Sequence, residues 1–518
     1  MTAPTTAGLR RILPGDAAWP LHDVSASRAI ETAALACHAP HELMLRAGRA
    51  VARLALALAP HARQVWVACG PGNNGGDGLV AATLLRQAGV PVHVTLFADA
   101  EQLPEDARRA WQDACQAGVP MGPLRADAVV DLAIDALLGL GAARAPQGAI
   151  AEAIARLGAL GADILAVDLP SGLSADTGQL LGAQAVVASH TLSLLTLKPG
   201  LFTGAGRDHA GQIWLDPLGI DPPGQATARL TGAEVLELLP PRRHASHKGS
   251  FGDVLVVGGA PGMTGAALLC GRAALAAGAG RVFVSMLDAD GPHCDTLQPE
   301  LMLRREAWRG DAELPARSTV VCGCGGGAAV RDALPALLSR SARLVLDADA
   351  LNALAADPSL RSLLDARAAR GLATVLTPHP LEAARLLGGD ARRVQARRLH
   401  AADELARRHG CVVLLKGSGS IVASSDDLPA LNPTGNGLLA GGGTGDVLAG
   451  WVGAFWAQAA AAGVRQAARR AAEAAAWLHG HAADRWREGA PGSLALRAGE
   501  LNERMRDAAS RRRPAQHP

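Results

Sequence analysis

Residues 64–87 read QVWVACGPGNNGGDGLVAATLLRQ, and this stretch decides the fold. A short apolar run, Gln64–Ala68, has the length and β-branched content of a buried strand. The Ala/Leu-rich run Leu79–Gln87 has helical character. Between them, Gly70–Gly78 packs five glycines, two asparagines and an aspartate into nine residues. Glycine supplies positive φ and lets backbone approach a ligand closely. Asn and Asp tolerate the same conformations and add side-chain oxygens. A helix start behind such a loop favours an anion such as a pyrophosphate.

Working outward, the same strand-then-helix unit repeats. Val90–Leu96, Ala128–Ile134, Ile164–Val167 and Thr191–Thr196 read as further buried strands beside helical patterns. A second set follows Arg242: Asp253–Val257, Arg281–Ser285, Thr319–Val321, Leu344–Leu346, Thr374–Leu376 and Cys411–Leu415. Alternating strand and helix predicts α/β architecture, with mostly parallel sheets covered on both faces. The Pro/Gly-rich piece Asp216–Gln225 reads as a linker, which places a domain boundary near residues 217–240. The expected domains are residues 1–225 and 226–518. Ser510–Pro518, basic and Pro-containing, is expected to fray.

Composition excludes several classes. The 518 residues are 49% hydrophobic and 19% charged, which is a globular balance. Fifty basic residues against 48 acidic ones leave a net charge of +2, so no nucleic-acid surface is expected. The first twenty residues contain no apolar run of signal-peptide type. Val447–Val464 is weakly polar but holds Gly450, Gly453 and Gln458, and reads as a buried helix rather than a membrane span. Eight cysteines lack any zinc spacing and suit free thiols in a reducing cytosol, so a cytoplasmic location is expected.

Two further strand ends in the first half carry polar, Gly-rich turns. Val129–Asp135 leads into Gly139-Leu140-Gly141-Ala142-Ala143-Arg144, and Ile164–Val167 into Asp168-Leu169-Pro170-Ser171-Gly172. Ligands of open α/β sheets lie beyond the carboxyl ends of the strands, so these ends are expected to share a pocket. In the second half, Asp347 and Asp349 end one strand, Thr377-Pro378-His379 another, and Lys416-Gly417-Ser418-Gly419-Ser420 a third. Residues 436–450 read NGLLAGGGTGDVLAG. Gly441–Gly445 can form a nest of N–H groups for a phosphoryl group at the start of helix Val447–Trp456. There the Asp446 carboxylate can accept a proton from a substrate hydroxyl.

With these motifs in view, the first half resembles the NAD(P)H-hydrate epimerase domain, a Rossmann-like three-layer α/β/α fold. The likeness covers about residues 22–215 and rests on His41-Glu42-Leu43-Met44 with Arg46-Ala47-Gly48, GPGNNGGDG, DALLGLG and DLPSG. It implies that Asn73, Asn74, Gly75, Gly76 and Asp77, with Gly139, Leu140, Gly141, Ala142, Ala143, Arg144 and Ala145, hold a hydrated dinucleotide. It implies K⁺ held by Asn74, Asp135 and Ser171, and Asp168 as the acid/base that interconverts epimers.

The second half, about residues 240–505, is similar to the ribokinase-like superfamily. HKGSFG, GMTGAA, DADALN, TPHPLE, KGSGS and GGGTGDVLAG together resemble the ADP-dependent NAD(P)H-hydrate dehydratase. The resemblance implies substrate contacts from Ala266, Gly327, His379 and Asp446. It implies ADP held by Lys416–Ser420 and Gly445, Mg²⁺ on its phosphates, and a homo-oligomer of four or more chains. Gly323-Cys324-Gly325-Gly326-Gly327 departs from the usual Gly-Pro-Gly-Leu-Gly. Phosphorylation of a vitamin precursor is the competing activity within the superfamily, and a non-catalytic ligand-binding role the competing one for the first half.

Overall fold

The computed structural model describes residues 8–221, 225–238, 242–310 and 313–511. Pro222, Pro223 and Gly224 of the expected linker, and residues 512–518 of the basic tail, lie outside them. The chain divides into two compact units, one centred on Trp19–Arg229 and the other on the chain from Leu230 onward.

The first unit is built on a seven-stranded sheet in the order Arg10–Arg11, Gln212–Asp216, His190–Leu194, Asp163–Val167, Leu132–Ala136, Val65–Cys69, Val92–Leu96. All pairings are parallel except that of Arg10–Arg11. Successive side chains alternate between faces, as the pleat requires. Val65, Val67, Ile134 and Leu165 therefore join one core, and Trp66, Ala68, Ala133 and Ile164 the other. Strand order reverses beside Val65–Cys69, which opens a crevice between the turns after Cys69 and Ala136.

The second unit's sheet runs Met302–Leu303, Arg281–Met286, Asp253–Gly258, Thr319–Cys322, Arg343–Leu346, Thr374–Leu376, Val412–Leu415, Ile421–Ser424, Asp427–Leu431. The first seven are parallel and the last two antiparallel. Val254, Val256, Val284, Val321, Val345 and Leu414 pack under helices Thr264–Ala276, Thr444–Ala461 and Ala467–Gly489. Helix Thr444–Ala461 is buried on nearly every side, which accounts for its apolar composition. Among the described residues no helix is long and apolar enough to cross a membrane.

Five expectations need correction. The stretch Asn73–Gly78 is not a loop: helix Asn73–Gln87 begins directly after Gly72. The glycines of that motif do not serve positive φ, because none of Gly70, Gly72, Gly75, Gly76 or Gly78 adopts it. They serve close approach instead. A Cβ on Gly70 would lie 1.8 Å from the Leu137 carbonyl oxygen, and one on Gly75 2.1 Å from that of Gly70. Helical glycine costs about 1 kcal/mol relative to alanine, and here that cost admits contacts no other residue allows. The helix expected over Val447–Trp456 is longer, Thr444–Ala461. Asp216 ends a strand rather than opening a linker, and Ser510 lies within helix Ala498–Arg511.

Gly75→Ala is therefore expected to destabilise the first unit by about 1–3 kcal/mol through overpacking. Gly72→Ala, whose Cβ meets nothing within 4 Å, is expected to change little. Urea unfolding followed by circular dichroism separates the two.

Candidate functional site

Each unit gathers its polar strand ends at one edge of its sheet. In the first, four neighbouring strands feed a cavity of about 510 Å³. The start of helix Asn73–Gln87, just after Cys69, contributes Asn73, Asn74 and Asp77; the turn after Ala136 contributes Gly139–Ala142; Val167 leads to Asp168 and Leu194 to Lys198. Gly75 and Gly76 are buried beneath this surface, against Gly70 and Met44. Ala143, Arg144 and Ala145 lie exposed outside the lining. Met44 and Ala47 line the wall, and Gly48 packs where a Cβ would fall 2.3 Å from Val80.

Asp168 holds a left-handed φ of 66°, unusual for a residue with a side chain. That turn brings its carboxylate back over the sheet edge. Oδ1 accepts from the Leu194 N–H at 3.2 Å and from Lys198 Nζ. Lys198 is 2% exposed and also donates to the Leu194 carbonyl at 2.7 Å. Sequence reading missed this lysine, although a cation just beyond a strand end, in Lys198-Pro199-Gly200, is the signal that could have found it. Glu31, on helix Val24–Cys37, was missed too and carried no motif. It lines the same cavity, and burial followed by the charge of Asp168 raises its pKa. Burial, then the charges of Asp168 and Glu31, raise the Asp77 carboxyl above the usual carboxylate range.

Asp135 is fully buried. Oδ1 accepts from Ser171 Oγ at 2.6 Å and Oδ2 from the Ser171 N–H at 2.8 Å. Burial pushes its carboxyl up to about 6 against these hydrogen bonds, and no lysine or arginine pairs with it among the described residues. Asn74 stands against Gly139, its Oδ1 3.0 Å from where a Cβ would be. Its Nδ2 is buried without a hydrogen-bond partner.

In the second unit, turns 323–327, 347–349, 377–382 and 416–420 follow four adjacent parallel strands. Lys416 Nζ donates to Asp347 Oδ1 at 2.6 Å. Burial works against the lysine's charge, but Asp347 and Glu382 outweigh it and raise its pKa. Gly445 presents its backbone to this pair, with Lys416 Nζ 3.5 Å from its Cβ position. Asp446 is the third residue of helix Thr444–Ala461 and not its cap, since Gly443 takes that place with φ 86°. Burial, then repulsion from Asp347, raises the Asp446 carboxyl to about 6, although Cys324 and Lys416 oppose the shift.

The flanking turns are braced from within. Ala348 takes φ 48°, which sets Asp347 and Asp349 on either side of a strained residue. Asp349 Oδ2 accepts the Gly327 N–H at 2.8 Å. Ala266, half-buried in the first turn of its helix, touches Gly325. His379 caps helix Pro380–Leu387, with Nδ1 accepting from Leu381 and Glu382 N–H at 3.1 and 3.2 Å. That use fixes its tautomer, with Nε2 3.2 Å from Glu382 Oε1. Arg398, 2% exposed, donates to the Lys416 and Gly419 carbonyls and so shapes the Lys416–Ser420 turn. Buried His479 contacts the Thr444 carbonyl at 3.0 Å. Both were missed, because a lone Arg or His inside a helical pattern carries no motif.

Lys198→Met is expected to destabilise the first unit by about 3–5 kcal/mol, because Asp168 is left as an uncompensated buried charge. Adding Asp168→Asn should restore most of that loss. Chemical denaturation of the single and double variants reads both effects.

Two family models match the chain: "YjeF-related protein N-terminus" over residues 40–200 and "NAD(P)H-hydrate dehydratase" over residues 254–503. A bifunctional NAD(P)H-hydrate repair enzyme Nnr of Escherichia coli K12 is 40% identical over 430 residues, 81% of each chain. Its counterpart in Coxiella burnetii is 37% identical over 458 residues, 86% of this chain and 90% of that one. A solved ADP/ATP-dependent NAD(P)H-hydrate dehydratase of Bacillus subtilis, co-crystallised with ATP/Mg²⁺, is 29% identical. It covers 54% of this chain and 95% of its own, with a TM-score of 0.43.

Proposed function

The chain belongs to the family of bifunctional NAD(P)H-hydrate repair enzymes, and we propose that its two units carry the two activities in chain order. The domain of residues 1–225 epimerises the R and S hydrates of NADH and NADPH. The domain of residues 226–518 dehydrates the S form with ADP, releasing AMP and phosphate. The observation that carries this reading is Asp446, a half-buried carboxyl near pKa 6, set beside the Lys416–Asp347 pair at a glycine-rich helix start.

In the dehydratase unit, Asp446 removes the proton of the ring hydroxyl as its oxygen attacks the terminal phosphorus of ADP, and AMP departs. The phosphorylated ring then loses phosphate and a ring proton, which restores the nicotinamide double bond. Lys416, the Gly417–Ser420 turn and the Gly445 backbone offer positive charge and N–H donors to the phosphates. Ala266, Gly327 and His379 line the substrate side. Mg²⁺, carried on phosphate oxygens, would offset the charge that develops there.

In the epimerase unit, Asp168 is the acid/base. Protonation lets the ring hydroxyl leave as water, and water returning from the other face inverts the carbon. Asn73, Asn74, Asp77 and Gly139–Ala142 hold the dinucleotide, with Ala143–Ala145 at the rim. A K⁺ ion fits the hard oxygens of Asn74, Asp135 and Ser171, because the buried Asp135 carboxylate has no cationic partner among the described residues. We also assign the chain to the cytoplasm, as eight free cysteines suit, and to a homo-oligomer of four or more chains.

Because Asp446 acts unprotonated, dehydration should rise with pH through about 6 and level off above it. Asp446→Ala should lower kcat by about 10²–10⁴-fold and flatten that limb. Initial rates with S-NADHX and ADP test both; an unchanged limb in the variant would assign the base elsewhere.

A further inference from the structure

The turn after strand Thr319–Cys322 places a thiol where the dehydration chemistry needs none. Gly323 and Gly325 take left-handed φ of 120° and 57°, and the reversal between them turns Cys324 inward, to 1% exposure. Its thiol donates to the Asp446 carboxylate. It also hydrogen-bonds the Cys270 thiol on helix Thr264–Ala276. Ligand atoms of Cys324, Asp347 and Asp446 all lie within 4.8 Å of one another.

Those distances suit a small divalent cation. Ligands at roughly 2.0–2.3 Å from a tetrahedral zinc stand about 3.3–3.8 Å apart, so a modest contraction closes the set. The charge balance favours it as well. Among the described residues, the buried Asp347 and the half-buried Asp446 face one cation, Lys416, which is already committed to Asp347 at 2.6 Å. The thiol selects the metal: Mg²⁺ takes oxygens in octahedral array, whereas sulfur beside two carboxylates suits a softer ion. Three protein ligands leave one position open.

We propose that Cys324, Asp347 and Asp446 form a binding site for a thiophilic divalent cation of the zinc class, which inhibits the dehydratase by occupying Asp446. On binding, the Cys324 S–H proton passes to solvent and a metal–sulfur bond replaces the thiol's hydrogen bond to Asp446. The carboxylate lone pair that would accept the substrate proton is then held by the metal. The cation site rests on geometry alone; only the inhibition rests on the dehydratase reading, and the two are measured separately.

Cobalt(II) titrated into the metal-free full-length protein is the probe, because a cobalt–thiolate bond gives an intense near-ultraviolet band that oxygen ligation does not. The expected result is a band that saturates at one equivalent, is displaced by zinc, survives Cys411→Ser and vanishes in Cys324→Ser. Asp446→Asn should weaken cobalt binding about tenfold or more, one of three ligands being lost. Absence of the band, or its survival in folded Cys324→Ser, overturns the site. If Cys324→Ser does not fold, unchanged affinity in Asp446→Asn overturns it. Zinc that fills the site in excess magnesium should stop dehydration of S-NADHX; full activity with the site filled would overturn the inhibition.

Discussion

A lysine held against a buried aspartate lies at the carboxyl edge of each sheet: Lys198 with Asp168, and Lys416 with Asp347. Buried charges persist only when paired and hydrogen-bonded. Each pair therefore fixes its strand ends to one another, and the rest of each site is arranged around that demand. Asp168 accepts a left-handed backbone to reach its lysine. Asp347 is followed by a strained Ala348 for a similar reason of placement. Burial and neighbouring carboxylates raise Asp77 and Glu31 in one unit, and Asp446 and Glu382 in the other, above the usual range. Groups with divided protonation tendencies are what acid/base chemistry at neutral pH requires.

The glycines make the edges possible. In the first unit Gly70 and Gly75 bring one backbone against the carbonyl oxygen of another, and Gly172 takes a left-handed φ of 93°. In the second unit both uses recur. Gly323, Gly325 and Gly327 take left-handed φ, while Gly450 and Gly453 let helix Thr444–Ala461 press onto Cys270 and Val321. That close packing seats the start of the helix, and Asp446 with it, against the Lys416–Asp347 pair.

Much of this was legible in the sequence, and the physics says why. Buried parallel strands read as short apolar runs, and glycine-rich turns after them mark where a ligand can approach. Both α/β units, and a shared pocket for the first unit's strand ends around Asn74, Asp77 and Asp168, followed from that grammar. The antiparallel strands Ile421–Ser424 and Asp427–Leu431 did not, since Ser, Asp and Pro429 break the apolar pattern. Nor did Lys198, Arg398 and His479, each of which works through contacts that only the folded chain creates. The helix start at Asn73 was hidden by its glycines, whose poor intrinsic propensity is overridden by packing.

The central claim is that one chain consumes both epimers. Its most direct test supplies an R/S mixture of NADHX with ADP and Mg²⁺ and follows regenerated NADH. The account predicts that the wild-type chain converts the whole mixture in one continuous phase, whereas Asp168→Ala stalls once the S form is spent. A wild-type reaction that stalls with the R form untouched, or an Asp168→Ala variant that runs to completion at the wild-type rate, would contradict it.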